Sequence, residues 1–525
     1  MCMFLFTYLI IKQKRYVPDI YKIIILTHTM NYRLKTLCIL LSGGYSLTVA
    51  AQNNELPNII FILADDIGYG DLGCYGATKI KTPAIDQLAT QGIKFTNAYA
   101  PASTSSPSRY ALLTGEYAWR KNVGVLPADA PLTIDPNKNT LPAFLRKAGY
   151  HTALVGKWHL GLGEKSIPVN FNEKIQAGPL AIGFDYAYYF PATNDRVPCV
   201  YIANETVDMQ NLSDPIQVSY QQKIGNDPSG KERPDLLTLK PHLGHDATIV
   251  NGISRIGWMS GGNKARWKDE EMAQHLLNKA TSYIEKHSKK PFFLYYAPHN
   301  AHEPRVPSPT FKGKSEAGIY GDVIEEFDYC VAEIVKSLVE NGIYNNTIII
   351  ISSDNGPMIK EGYDDGALEN INGHNPYGNL RGEKYSLHEG GTRVPFICSW
   401  PEKIHVPFIQ EQPFSYIDML STFAGILNVP ITEKESNDSK NGANLFKTSN
   451  APLYREYIMI QNNSGQIAIR KGDWKYIPAN KNRKAELYNL STDPSELHSM
   501  MLACPEKAHE LLELVKQNYK KSWNK

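Results

Sequence analysis

The sequence predicts an α/β fold, a large mostly parallel or mixed sheet sandwiched by helices, followed by a small C-terminal antiparallel sheet with one helix. Two observations carry this prediction. Beyond Gln52 the chain repeats one arrangement, a short β-branched run, a polar cluster and an amphipathic helix, and such alternation builds parallel strands with helices on both faces. From about Tyr454 the arrangement changes to short strands in quick succession and then a charged helix, the pattern of an antiparallel unit. The 525 residues are 42% hydrophobic and 21% charged. That is enough apolar material for a large core, and it excludes a disordered or collagen-like chain.

The elements follow in order. Asn58 to Leu63 reads as the first strand and delivers Asp65 and Asp66. Thr82-Pro83 supplies an N-cap and first-turn proline for a helix that stops near Gly92, and Thr140-Leu141-Pro142 opens a second helix that ends at Gly149. The strand Thr152 to Val155 then runs into Gly156-Lys157-Trp158-His159. A long helix from about Asp269 to His287 precedes the strand Phe292 to Tyr296, which leads to His299 and His302. A helix over Tyr320 to Glu340 closes at Gly342, and the strand Thr347 to Ser352 delivers Asp354 and Asn355. Val394 to Trp400 reads as a strand, while residues 160 to 265, rich in Pro, Gly, Asn and Asp, read as long loops around a site. The C-terminal unit is expected to contain strands Tyr457 to Gln461, Gln466 to Arg470 and Trp474 to Ile477, then a helix from Pro505 to about Trp523.

Residues 1–51 read as a leader. A basic stretch after Met30, the apolar run Thr36 to Ala50 and small residues up to Ala51 have the form of a cleaved signal peptide, with residues 1–29 an extension from a misassigned start. The run contains Ser42, Gly43, Gly44 and Ser46, so no stable membrane span is expected from it. Without the leader, 49 basic and 52 acidic residues remain, a balance that argues against a nucleic-acid partner. Seven scattered cysteines with no CxxC pair indicate neither a disulfide framework nor a zinc site.

The polar clusters recur at the carboxyl ends of apolar runs, where open parallel sheets place their ligand crevice. Asp65-Asp66 and Asp354-Asn355 offer hard oxygen donors suited to calcium or magnesium. Either pair alone would more commonly be a turn or helix cap; their recurrence at the same topological point favours a metal. Ser105-Ser106-Pro107-Ser108-Arg109 opens a helix whose amide end would attract an anion such as phosphate or sulfate.

The full string, Ser-x-Pro-Ser-Arg-x-x-x-Leu-Thr-Gly from Ser105 to Gly115, resembles the signature of the type I, formylglycine-dependent sulfatases of the alkaline phosphatase superfamily. The likeness extends over most of the chain, through Gly156-Lys157-Trp158-His159-Leu160-Gly161, His302, Lys384 and Glu486-Leu487-Tyr488-Asn489. The resemblance implies an alkaline phosphatase-like fold, with residues 52–450 as the catalytic domain and 451–525 as a small α+β subdomain. It implies that Ser105 is oxidised to formylglycine (3-oxoalanine) by a maturase that accepts serine. Its hydrate would attack the sulfur of a carbohydrate sulfate ester. One Ca2+ would be held by Asp65, Asp66, Asp354, Asn355 and residue 105. Arg109 would hold the hydrate, His159 would bond its hydroxyl, Lys157 and Lys384 would bind sulfate, and His302 would protonate the leaving oxygen.

Asn194, Asp195, Arg196, His245 and Asp246 resemble the rim of bacterial galactose or N-acetylgalactosamine 6-O-sulfatases, and His299 is a further substrate-binding candidate. Glu383 and Glu389 read as backbone-positioning residues. The leader and the serine form together imply a periplasmic or secreted bacterial enzyme. Two alternatives stand beside this reading: a phosphodiesterase or phosphonate monoester hydrolase of the same superfamily, and a non-catalytic sulfated-glycan binder that keeps Ser105 unmodified.

Overall fold

Every residue of the run Asn58–Ala64 is buried, as it must be in a strand covered on both faces. This is β1 of a ten-stranded sheet in a computed structural model that describes residues 56–519 apart from Leu243; the leader assigned to residues 1–51 lies outside the described residues. The other strands are β2 (Ile93–Phe95), β3 (His151–Lys157), β4 (Tyr186–Phe190), β5 (Ile202–Ala203), β6 (Thr206–Val207), β7 (Phe292–Ala297), β8 (Thr347–Ser353), β9 (Phe396–Ser399) and β10 (Phe408–Gln410). Their order is β10-β2-β9-β8-β1-β7-β3-β4-β5-β6. The five central strands, β8-β1-β7-β3-β4, are parallel. β9 runs antiparallel to β8, which makes the sheet mixed.

The sheet is flanked by helices. The helices α1 (Pro83–Gln91), α4 (Met272–His287) and α5 (Gly318–Glu340) pack together, as do α2 (Ser105–Thr114) and α3 (Leu141–Lys147). Thr140 caps α3 as expected, its side chain accepting from Ala143 N at 3.2 Å. Thr82 does not cap α1. Its hydroxyl accepts from Gly73 N instead, and the buried Asp328 of α5 caps α1 from outside, accepting from Ala84 N at 3.1 Å and Ile85 N at 2.8 Å. Burial pushes the Asp328 carboxyl up to about 7.

Residues 160–265 are less irregular than their composition suggests. They contribute β4, β5 and β6 to the large sheet, and several two-residue and three-residue strands form small ribbons beside it. At the C-terminus a four-stranded antiparallel sheet forms from β11 (Ile458–Gln461), β12 (Ile467–Lys471), β13 (Trp474–Ile477) and β14 (Glu486–Asn489), with α6 (Pro505–Asn518) against it. Its core joins Leu511 and Val515 of α6 to Ala111 of α2 and to Trp119. Gln461 at the end of β11 pairs with Pro101–Ser103, the segment that leads into α2: Ser103 N donates to Gln461 O at 2.8 Å and Gln461 N to Pro101 O at 3.0 Å. The small sheet therefore braces the approach to Ser105. Among the described residues, no helix is long and apolar enough to cross a membrane.

Candidate functional site

Asp65-Asp66, Lys157, His299–His302 and Asp354-Asn355 leave the carboxyl ends of β1, β3, β7 and β8, four neighbouring parallel strands, so their side chains open on one crevice. Ser105 is the first residue of α2 and Arg109 lies one turn along it, on the same face. Gly156, with φ 119°, has no room for a Cβ, which would overlap the Ala297 carbonyl oxygen; only glycine lets β3 approach β7 there and present Lys157. Asp66 and His159 adopt positive φ values of 60° and 51°. Side-chain-bearing residues keep such backbone only where the surroundings enforce it.

A buried ion network fills the crevice. Lys157 Nζ donates to Asp65 Oδ2 at 2.7 Å and to Ser105 Oγ at 3.0 Å. Arg109 Nη2 donates to Asp354 Oδ2 at 2.7 Å and lies 3.6 Å from Asp65 Oδ1. Lys384 Nζ donates to Asp66 Oδ2 and to Glu361 Oε2, each at 2.8 Å. Asn355 Nδ2 donates to Asp66 Oδ1 at 2.6 Å, while its Oδ1 is buried with no hydrogen-bond partner.

Four carboxylates (Asp65, Asp66, Asp354, Glu361) thus face three cations (Arg109, Lys157, Lys384). Burying an unbalanced charge is costly. Burial raises the Asp65 carboxyl, Lys157 working against the rise and Asp354 adding to it, and burial lowers Lys157. A divalent cation would reverse the excess charge. Oxygens of Asp65, Asp66 and Asp354 lie within 4.8 Å of one another, and with the orphaned Asn355 Oδ1 they form an all-oxygen donor set that suits a hard cation. The neighbouring group of Asp66, His302 and Glu361 has its cation already, in Lys384.

His159 and His302 each give one ring nitrogen to a backbone carbonyl and keep the other out of it. The Leu126 carbonyl accepts from His159 Nε2 at 3.1 Å, which leaves Nδ1, buried and unpartnered, as an acceptor. Burial, with Lys157 and Arg196 nearby, holds His159 well below its usual value. The Glu303 carbonyl accepts from His302 Nδ1 at 2.6 Å, so Nε2 faces Glu361 Oε2 at 3.8 Å and Asp66 Oδ2 at 4.0 Å. Burial and the nearby Lys384 push His302 down to about 3.

The rim candidates divide. His245 Nε2 donates to Asp195 Oδ2 at 3.3 Å, and Thr193 also donates to that carboxylate. Arg196 donates to Leu126 O at 2.8 Å beside His159. Asn194 braces the histidine loop, its amide donating to Pro304 O at 3.1 Å. His299 is buried with Nδ1 unpartnered, and burial pushes it down to about 4; among the described residues it makes no side-chain hydrogen bond into the centre. Asp246 takes part through its backbone, accepting from Lys231 N at 3.1 Å. Sequence reasoning missed Glu361 and Glu303. Both lie in loops, and only their folded contacts distinguish them from ordinary solvated acids.

A model of the sulfatase family matches residues 57–429. The chain is 48% identical over 479 residues to an N-acetylgalactosamine-6-O-sulfatase of Bacteroides thetaiotaomicron, covering 88% of this chain and 93% of that one. It is 30% identical over 463 residues to human arylsulfatase D, covering 80% and 73%. A solved structure from work on glycosaminoglycan metabolism by Bacteroides thetaiotaomicron superposes with a TM-score of 0.86 at 47% identity, covering 89% of this chain and all of that one.

Proposed function

The chain belongs to the sulfatase family, and on that premise we propose that it removes 6-O-sulfate from galactose or N-acetylgalactosamine in a glycan. Hydrolysis of carbohydrate sulfate esters follows from the family; the sugar and position are supported by the 48% identity to a relative of that specificity. The observation that carries the reading is the convergence of Ser105, Arg109, Lys157, Lys384 and two nitrogen-presenting histidines on one buried oxygen-donor set.

Asp65, Asp66, Asp354 and Asn355 would hold the metal, which we take to be calcium from the hard donors. When present, that ion and a formylglycine made from Ser105 supply positive charge at the sulfate oxygens and a hydrated aldehyde as nucleophile. This chain's own side chains do the rest. Lys157 and Lys384 bring ammonium groups to a sulfate that carries its charge on three oxygens, in a dry site where such contacts are strong. Arg109 holds Asp354 in place and adds a third cation beside residue 105. His159 Nδ1 can accept a proton from a hydroxyl at position 105. His302 Nε2 can give one to the departing sugar oxygen, provided the substrate's negative charge raises its proton affinity. Asp195, Arg196 and His245 would meet sugar hydroxyls at the rim, with Asn194, His299 and Asp246 as further contacts.

Unmodified Ser105 could form only a stable ester, so the reading requires a serine-accepting maturase. The leader supports delivery to the periplasm or outside the cell. Incubating the matured protein with mono- and disaccharides sulfated at defined positions, and with matched aryl sulfate and aryl phosphate, tests the proposal. Release from the 6-sulfates of galactose or N-acetylgalactosamine is expected. A preference for the aryl phosphate would replace the reading with a phosphoester hydrolase, and Ser105 found intact in active-site peptides from the native host would favour a glycan-binding role.

A further inference from the structure

Glu361 lies between the Asp354-Asn355 pair and Lys384 in sequence, and its carboxylate grips two successive residues. Oε2 accepts from Lys384 Nζ at 2.8 Å, and Oε1 accepts from the Tyr385 hydroxyl. Tyr385 has φ 75°, a left-handed backbone that a side-chain-bearing residue keeps only when something holds it. The main chain of this turn is pinned as well, Lys384 N donating to Pro357 O at 3.1 Å and Tyr385 N to Ser103 O at 2.8 Å.

Glu361 is itself rigidly mounted. The buried Glu303 carboxylate accepts from the amides of Glu361, Gly362 and Tyr363 at 3.2, 2.6 and 3.0 Å. Arg305 secures Glu303 at 3.2 Å and donates to Ile359 O at 3.0 Å. Gly362 abuts the His245 ring so closely that a Cβ would overlap it. The second carboxylate on Lys384 is Asp66, a member of the candidate metal set, and a carboxylate that binds a cation has less charge left for a lysine. Glu361 is the partner whose charge is not shared in that way.

We propose that Glu361 is a positioning residue: by holding Lys384 and Tyr385 with one carboxylate, mounted on the Glu303–Arg305 clamp, it aims the Lys384 ammonium at the sulfate subsite. The proposal rests on the reading of Lys384 as a sulfate-binding cation.

A double-mutant cycle tests it. Affinity for N-acetylgalactosamine 6-sulfate is measured by calorimetry on the calcium-loaded protein with Ser105 unmodified, and kcat and KM on the matured enzyme, for wild type, K384A, E361A, E361Q and the two double variants carrying K384A. Loss of a charge-assisted contact predicts about tenfold weaker binding for K384A and a comparable loss for E361A. E361Q is expected to fall between wild type and E361A: its amide oxygen can still accept from Lys384 while its nitrogen donates to the Tyr385 hydroxyl, and what it loses is the charge that strengthens the hold on the ammonium. In the K384A background neither Glu361 substitution weakens binding by more than about twofold, since the group being aimed is gone. E361Q, close to isosteric, carries the test if E361A melts far below wild type. Equal binding by E361Q and wild type overturns the proposal, as does a further tenfold loss in the K384A background. An unchanged K384A variant would instead overturn the role of Lys384 on which the proposal stands.

Discussion

Asp195 and His245 show how the rim sets the charge of single residues. Burial works against a protonated His245, but the hydrogen bond with Asp195 and the carboxylates of Glu361 and Glu303 outweigh it and hold the imidazole above its usual value. Burial also opposes the ionised Asp195, yet His245, Arg196 and His302 hold its carboxyl well below the ordinary range. A raised histidine value contributes stability that is complete below the unfolded value of about 6.5 and lost as pH rises through the folded value. A depressed carboxylate value contributes stability that is complete above about 3.9 and lost as pH falls. The pair is therefore strongest between about pH 4 and 6.5. NMR titration of His245 is expected to give a midpoint above the usual value in the wild type and a lower one in D195N. The stability deficit of D195N should shrink as pH rises past the wild-type midpoint. An unchanged His245 midpoint in D195N would show that the pairing does not govern it.

At the scale of elements, the strand ends carry the site, and much of this was legible. The runs before Asp65, Lys157, His299 and Asp354 are apolar and bounded by polar clusters, so both the strands and the shared crevice could be read from the pattern. Three features could not. Tyr186–Phe190, a parallel strand of the large sheet, is surrounded by Pro-, Gly- and Asn-rich segments that mask it. The antiparallel sense of Phe396–Ser399 depends on chain crossings that no local period encodes. The cap of α1 comes from Asp328, far away in sequence, while Thr82 looks like the better candidate. Gly156 connects element to site. G156A would combine an unfavourable φ with overlap of the Ala297 carbonyl oxygen and should cost about 3 kcal/mol or more. G76A, at φ 110° with open space around the new methyl, should cost about 1–2 kcal/mol from backbone strain alone. Chemical denaturation of the two variants checks the ranking; equal losses would mean that the contact with β7 is not tight.

Across the whole molecule, the small C-terminal sheet is coupled to the centre by buried charge. Lys475 of β13 is inaccessible to solvent and lies 2.9 Å from both Glu389 and Glu496. Glu496 also accepts from Glu389 N at 2.6 Å, so the segment that carries Lys384 is tied to the C-terminal unit; the Glu389 carboxylate itself meets side chains, accepting from the Tyr99 hydroxyl and from Lys475 Nζ, where its sequence context suggested backbone positioning. K475M takes the cation from the buried Glu496 and one of two from Glu389, which keeps Arg393 at 3.5 Å, and should destabilise by about 3–5 kcal/mol. We propose that the large sheet and the residues after 450 unfold in one transition, which calorimetry of K475M should show as a single peak shifted downward; two separated peaks would mean independent units. The claim on which the account depends is that this one crevice, with residue 105 oxidised, cleaves a sugar sulfate. The most direct measurement prepares the protein at several degrees of Ser105 conversion, fixed by peptide mass spectrometry, and follows sulfate release from N-acetylgalactosamine 6-sulfate. A rate proportional to the converted fraction, and zero at no conversion, is expected; a fully converted preparation that releases no sulfate would contradict catalysis by residue 105.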